Sequence, residues 1–135
     1  SDAYRLRGLA YHMKGDNSRA INDYDSAIEI HKGEDRTHKL RGDALSDQGR
    51  LDEAIMSYTQ AIQLNPDNLD AYFNRGIAWF NKGNLDKAIE DYNEVIRLNP
   101  NDAEAYNNRK FAWVEKGDMT RANADFTMYQ ALLKR

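Results

Sequence analysis

Glycines recur along the chain at one interval: Gly15, Gly49, Gly83 and Gly117 lie 34 residues apart. Five positions after each stands an alanine (Ala20, Ala54, Ala88, Ala122). Four positions further comes an aromatic (Tyr24, Tyr58, Tyr92, Phe126). A chain written four times in one register is not built around a single central pocket. It is a stack of one supersecondary unit, and its functional surface is extended.

In register the units are 1–34, 35–68, 69–102 and 103–135, and the expected organisation is one domain, 1–135. The third unit is the most regular. Its apolar positions fall at Tyr72, Gly76, Trp79 and Phe80, then after a break at Ala88, Ile89, Tyr92, Val95, Ile96 and Leu98. Spacings of three and four are helical, so each unit reads as two amphipathic helices. The break, Lys82-Gly83-Asn84, combines a helix-ending glycine with a helix-starting asparagine. The second helix ends before Asn99-Pro100, because proline disfavours helical backbone in the residue before it. The pattern predicts eight helices, over 3–14, 18–31, 37–48, 52–64, 71–82, 86–98, 105–116 and 120–133. The least regular joint is His31-Lys32-Gly33-Glu34, where the later joints have Asn65-Pro66 and Asn99-Pro100.

These residues resemble the tetratricopeptide repeat, a helix–turn–helix unit, over essentially the whole chain. The early aromatic of the family pattern is Tyr4, Tyr72 and Tyr106, with His38 in the second unit. The small residue after it is Gly8, Gly42 and Gly76, then Lys110. Next come Tyr11, Leu45, Trp79 and Trp113, then Ala20, Ala54, Ala88 and Ala122. The later small residue is Ala27 and Ala61, replaced by Val95 and Tyr129. The closing proline is Pro66 and Pro100 only. The resemblance implies an all-α, right-handed superhelical solenoid of four repeats, with the first helix of each lining a concave face that commonly binds peptides. Some members hold a chaperone's C-terminal carboxylate in a clamp of Lys and Asn. Lys39 and Asn74 match that pattern, but Asp43 stands where Asn is required and Glu104 and Asn108 replace the two basic residues. Lys110 and Tyr129 either open the fourth repeat slightly or point to solvent.

One recurrence is less expected from the family. The residue before each small position is Arg7, Arg41, Arg75 and Arg109, and sixteen positions on stand Asp23, Ser57, Asp91 and Asp125. Pairing of Arg with Asp between the two helices of a unit is expected in repeats one, three and four. The alternative is an arginine stem packed along the interface with a solvated head.

Chemistry is hard to place on this sequence. There is no cysteine, hence no disulfide or thiolate. His12, His31 and His38 lack a second ligand at metal-binding helical spacing, and no phosphate-loop motif occurs. No catalytic, metal or cofactor site is expected, and the chain reads as a non-enzyme. Trp79 and Trp113 are expected to pack in the core. Net charge is -3, from 19 basic and 22 acidic residues, which disfavours nucleic acid as a partner. No apolar run approaches the roughly 18 residues that span a bilayer. A cysteine-free chain is compatible with cytosol or periplasm, and the cytoplasm is the favoured compartment. Ser1 opens the sequence on the first position of a repeat, so a mature form or an excised fragment is expected.

In register, the concave face divides into two halves. The first half is polar, with Arg5, Arg36 and Lys39 giving it cationic character. The second is apolar and aromatic, around Phe73, Ile77, Phe80, Phe111 and Val114, with Asn74 and Asn108 able to bond a ligand's backbone. The expected function is a protein-interaction module or scaffold that binds a peptide segment there. The alternatives are a self-associating assembly element, using a last helix that bears Tyr129, Leu132 and Leu133, and less readily a carboxylate-clamp co-chaperone.

Overall fold

The computed structural model describes residues 2–135. Eight helices follow one another: α1 (Asp2–Met13), α2 (Asn17–Ile30), α3 (Asp35–Asp47), α4 (Leu51–Leu64), α5 (Leu69–Asn81), α6 (Leu85–Leu98), α7 (Ala103–Glu115) and α8 (Met119–Leu133). No strand occurs among the described residues. The fold class is the all-α helix–turn–helix repeat, as expected. Contacts divide the chain into two compact units, with the division inside α5 after Ala71.

The four periodic glycines close the first helix of each repeat. Their φ angles are +85°, +75°, +86° and +81°, the left-handed region. In every case the amide after the glycine donates back to a carbonyl five residues earlier at 2.9 Å: Asp16 to Tyr11, Arg50 to Leu45, Asn84 to Trp79 and Asp118 to Trp113. That bond satisfies a carbonyl the helix end would leave open. The residue after the glycine then caps the second helix. Asp16, Asn84 and Asp118 each accept an amide through the side chain, at 3.1, 3.3 and 3.0 Å. Arg50 has no such acceptor and grips Glu53 instead. Arg50→Asn is therefore expected to stabilise the chain by about 1 kcal/mol, the usual worth of a cap. A urea titration in which the midpoint does not rise would refute this.

The irregular joint folds like the others by different chemistry. Asn65 and Asn99 accept the amide two residues on through Oδ1. His31 does the same through Nδ1, taking the Gly33 amide at 3.3 Å.

Within each of the first three repeats the small residue lies under a tyrosine. A Cβ added at Gly8, Gly42 or Gly76 would stand 2.8, 2.6 or 2.7 Å from Cε1 of Tyr24, Tyr58 or Tyr92. Those rings are the largest fully buried side chains of their repeats. Around them in the first unit pack Ala20, Ala44, Leu45, Ala54 and Ala61, with Tyr11, Leu40 and Ile62 at the margin. In the second unit Ala88, Val95, Ala105 and Ala112 are buried.

The recurrent arginine is a two-way tie. Arg7 reaches Asp23 with two bonds of 2.8 Å. Arg75 reaches Asp91 at 2.9 and 2.8 Å, and Arg109 reaches Asp125 at 2.9 and 2.6 Å. All three aspartates are buried. Arg41, facing Ser57 rather than Asp, bonds its Oγ at 2.8 Å and sends Nε back to Asp25 of the preceding repeat at 2.6 Å. Arg109 likewise reaches back to Asn93 at 2.9 Å. The guanidinium thus links α3 to α2 in the first unit and α7 to α6 in the second, as well as the helices of its own repeat. Three of these arginines also lie over the early aromatic one turn before, Tyr4, Tyr72 and Tyr106, at 5.4–5.7 Å.

Candidate functional site

The second unit contains an apolar cavity of about 300 Å³ lined by Ile77, Phe80, Tyr92, Asn108 and Phe111. Ile77 and Phe80 come from α5, Asn108 and Phe111 from α7, and Tyr92 from α6. The α5 and α7 residues sit one turn apart on their helices, so they project on one face. Phe111 is half-exposed, whereas Tyr92 is buried. Asn108 is the one amide among apolar walls, able to donate and accept.

Tyr92 was not legible as a lining residue, yet the register explains it. In the second repeat the equivalent Tyr58 hydroxyl donates to Asp43 Oδ1 at 2.6 Å and lies 3.4 Å from Ser46 Oγ. One repeat on, those two positions are Ile77 and Phe80. Tyr92 lacks both partners, and two polar side chains have become two apolar walls. Burial pushes the Tyr92 phenol well above its ordinary range, so it is neutral at physiological pH.

Four of the residues expected to form the apolar half therefore meet in one cavity: Ile77, Phe80, Asn108 and Phe111. Phe73 instead packs its ring on Tyr92, centroid to centroid 6.2 Å at 59°. Val114 is exposed on α7 outside the cavity lining. Asn74 is half-buried on α5 and also lies outside that lining.

Arg5 and Lys39 lie in the first unit, on a separate polar cavity of about 670 Å³ shared with Asp35, Arg36, Asn68 and Asp70. Their charges are spent within the protein. Arg5 Nε lies 2.9 Å from Glu34, and Lys39 Nζ lies 2.8 Å from Asp43, one turn away. Asp43 also takes the Tyr58 hydroxyl. Two of the cations expected of this half thus already hold carboxylates, Glu34 brought to Arg5 by the fold and Asp43 one helical turn from Lys39.

The histidines carry structural bonds. His12 Nε2 meets Asp47 Oδ2 at 2.6 Å, joining α1 to α3, and His38 Nε2 meets the Lys32 carbonyl at 3.2 Å. No group of three or more His, Cys, Asp or Glu able to hold a metal occurs among the described residues. Trp79 and Trp113 differ from the core role expected of them: both are half-buried, while Leu45 at the same position is fully buried. An indole is too large for that slot, and basic side chains cover its outer face. Lys87 lies 4.5 Å from the Trp79 ring and Arg121 4.9 Å from Trp113.

The tetratricopeptide repeat family model matches residues 39–103, and helix pairs with glycine-ended first helices recur in the same register on both sides of that span. The chain is built of tetratricopeptide repeats. Solved structures extend the likeness over nearly all of it. A crystal structure of MamA is 25% identical with a TM-score of 0.96, over 98% of this chain and 78% of that one. A second MamA structure is 25% identical with a TM-score of 0.94, over 98% and 73%. MamA from residue 41 to its end, from Desulfovibrio magneticus RS-1, is 22% identical with a TM-score of 0.92, over 98% and 75%. No curated protein matches the sequence. A tetratricopeptide fold is a protein-interaction scaffold, which places this chain among binding modules. No helix among the described residues is long and apolar enough to cross a membrane.

Proposed function

We propose that the chain binds a peptide segment of a protein partner in the cavity between α5, α6 and α7. The observation that carries this reading is the cavity's composition. Four apolar or aromatic walls surround one amide, and the volume, about 300 Å³, suits one large side chain with the adjoining backbone. The side chain supplies burial, and Asn108 bonds the peptide backbone on either side of it. Phe73, packed on Tyr92, holds the floor in place; Asn74 and Val114 extend the surface along α5 and α7. The polar cavity with Arg5 and Lys39 has a weaker claim, since both cations already hold carboxylates.

A random dodecapeptide library displayed on phage tests the reading. Selected peptides are expected to lose binding to a Phe80→Ala, Phe111→Ala double variant of unchanged helicity. Selected peptides that bind the double variant as well as the parent would put the site elsewhere and sink the proposal.

Self-association is favoured by a separate observation. On α8, Phe126, Met128 and Leu133 are exposed. Light scattering that shows a monomer at high concentration would exclude it.

A further inference from the structure

Lys110 interrupts the glycine register of the repeats, and the interruption has a physical consequence at the cavity rim. At Gly8, Gly42 and Gly76 there is no room for a side chain beneath the tyrosine. The fourth repeat puts lysine at that position and phenylalanine where the tyrosine would be. A side chain at 110 cannot share the space with a buried ring. Phe126 is accordingly 41% exposed, against 0%, 1% and 2% for Tyr24, Tyr58 and Tyr92. The Lys110 ammonium stands 4.3 Å from the centroid of Phe111 and 5.1 Å from that of Phe126. Phe111 is itself a wall of the cavity.

Among the described residues no carboxylate forms an ion pair with Lys110. Asp125, next to Phe126 in the chain, is committed to Arg109. Glu104 and Glu115 lie six residues before and five after on α7, off its face of the helix. A cation held against two exposed rings, with no counter-ion among the described residues, is complementary to an anion brought by the partner.

We infer that the partner segment is acidic as well as apolar: an aromatic or branched aliphatic side chain enters the cavity, and an Asp or Glu side chain close to it in sequence pairs with Lys110. This deepens the peptide-binding reading and rests on it. Lysine is a compact point charge on a flexible stem, so it selects for charge and not for a fixed bidentate geometry. The acid should therefore be tolerated at more than one spacing from the anchor.

The same phage library is the probe, followed by synthetic, C-terminally amidated copies of the selected peptides. The selected sequences are expected to combine a large apolar residue with Asp or Glu. Their affinity should fall about tenfold for Lys110→Glu, through lost attraction and added repulsion. Lys110→Met keeps the stem over the rings and should lose affinity only a few-fold. Lys110→Glu should in turn accept copies whose acid is replaced by lysine. Circular dichroism checks that both variants keep their helices. Sequences without acids, or Lys110→Glu binding as tightly as the parent, overturn the inference while leaving the cavity reading standing if Phe80→Ala with Phe111→Ala still abolishes binding. Binding that disappears on C-terminal amidation overturns it in favour of a terminal carboxylate. A library that yields nothing, beside a Phe111-dependent dimer in light scattering, gives the patch to a second copy and overturns both.

Discussion

Truncating Tyr58 to alanine is expected to cost about 4 kcal/mol, since a fully buried ring is deleted and the cavity left behind cannot collapse. The ring is 1% exposed, and Gly42 approaches it so closely that the helix pair has no side chain with which to refill the gap. The hydroxyl adds a second loss. It donates to Asp43, which also holds Lys39, so the truncation breaks a polar network as well as a packing unit. Tyr58→Phe separates the two terms and is expected to cost about 1–2 kcal/mol, the effect of removing one partner of a bond to a charged group. Both figures are read from urea unfolding midpoints at constant slope. A loss below about 1 kcal/mol for the alanine variant would mean that α3 and α4 repack without the ring, contrary to the role given to the glycine.

Much of this arrangement was legible in the sequence because repetition multiplies weak signals. One glycine followed by Asp or Asn is a modest helix boundary; four in phase fix the whole chain. All eight helices begin one or two residues before the predicted starts. The Arg–Asp pairs were legible for the same reason, since a sixteen-residue interval recurs in three repeats. What the pattern could not show was contact between residues of unrelated spacing. Arg5 meets Glu34, and His12 meets Asp47, only because neighbouring repeats stack. Lys39 with Asp43 is different: it is an ordinary one-turn helix pair, visible in the spacing alone. Tyr92 was seen as core and not as cavity floor. The missing signal lay in the repeat before it, where Asp43 and Ser46 serve the equivalent tyrosine and Ile77 and Phe80 do not. In a repeat protein, a candidate site is better sought where one repeat drops the polar partners another keeps than where apolar residues simply accumulate.

Arg75→Ala is expected to destabilise the chain by about 3–5 kcal/mol at neutral pH, the usual consequence of stranding one member of a buried pair. Asp91 is 4% exposed and accepts both bonds from Arg75. Burial pushes its carboxyl above the ordinary value of 3.8, and the hydrogen bonds and charge of Arg75 pull it down. Without the guanidinium the upward push of burial remains, joined by the negative charges of Glu90 and Glu94. The sign of the pH dependence follows. A carboxyl whose folded pKa lies above its unfolded value is best accommodated when protonated. The variant is therefore least penalised below 3.8 and loses stability as pH rises through the folded pKa. The deficit against the parent should be small in acid and grow towards neutrality. Arg7 and Asp23 supply the contrast within the same molecule. The Arg7 side chain is 60% exposed, against 18% for Arg75, and its hydrogen bonds hold Asp23 below the ordinary carboxylate value. That pair stabilises the parent above pH 3.8, and its contribution is lost as pH falls through the lowered pKa. Asp91→Asn beside Arg75→Ala provides the control. Joining the two changes should cost less than the sum of each alone, because the neutral amide leaves no stranded charge. Strict additivity, or a deficit of Arg75→Ala that does not change with pH, would show that the guanidinium acts through its packed stem and not through the carboxylate.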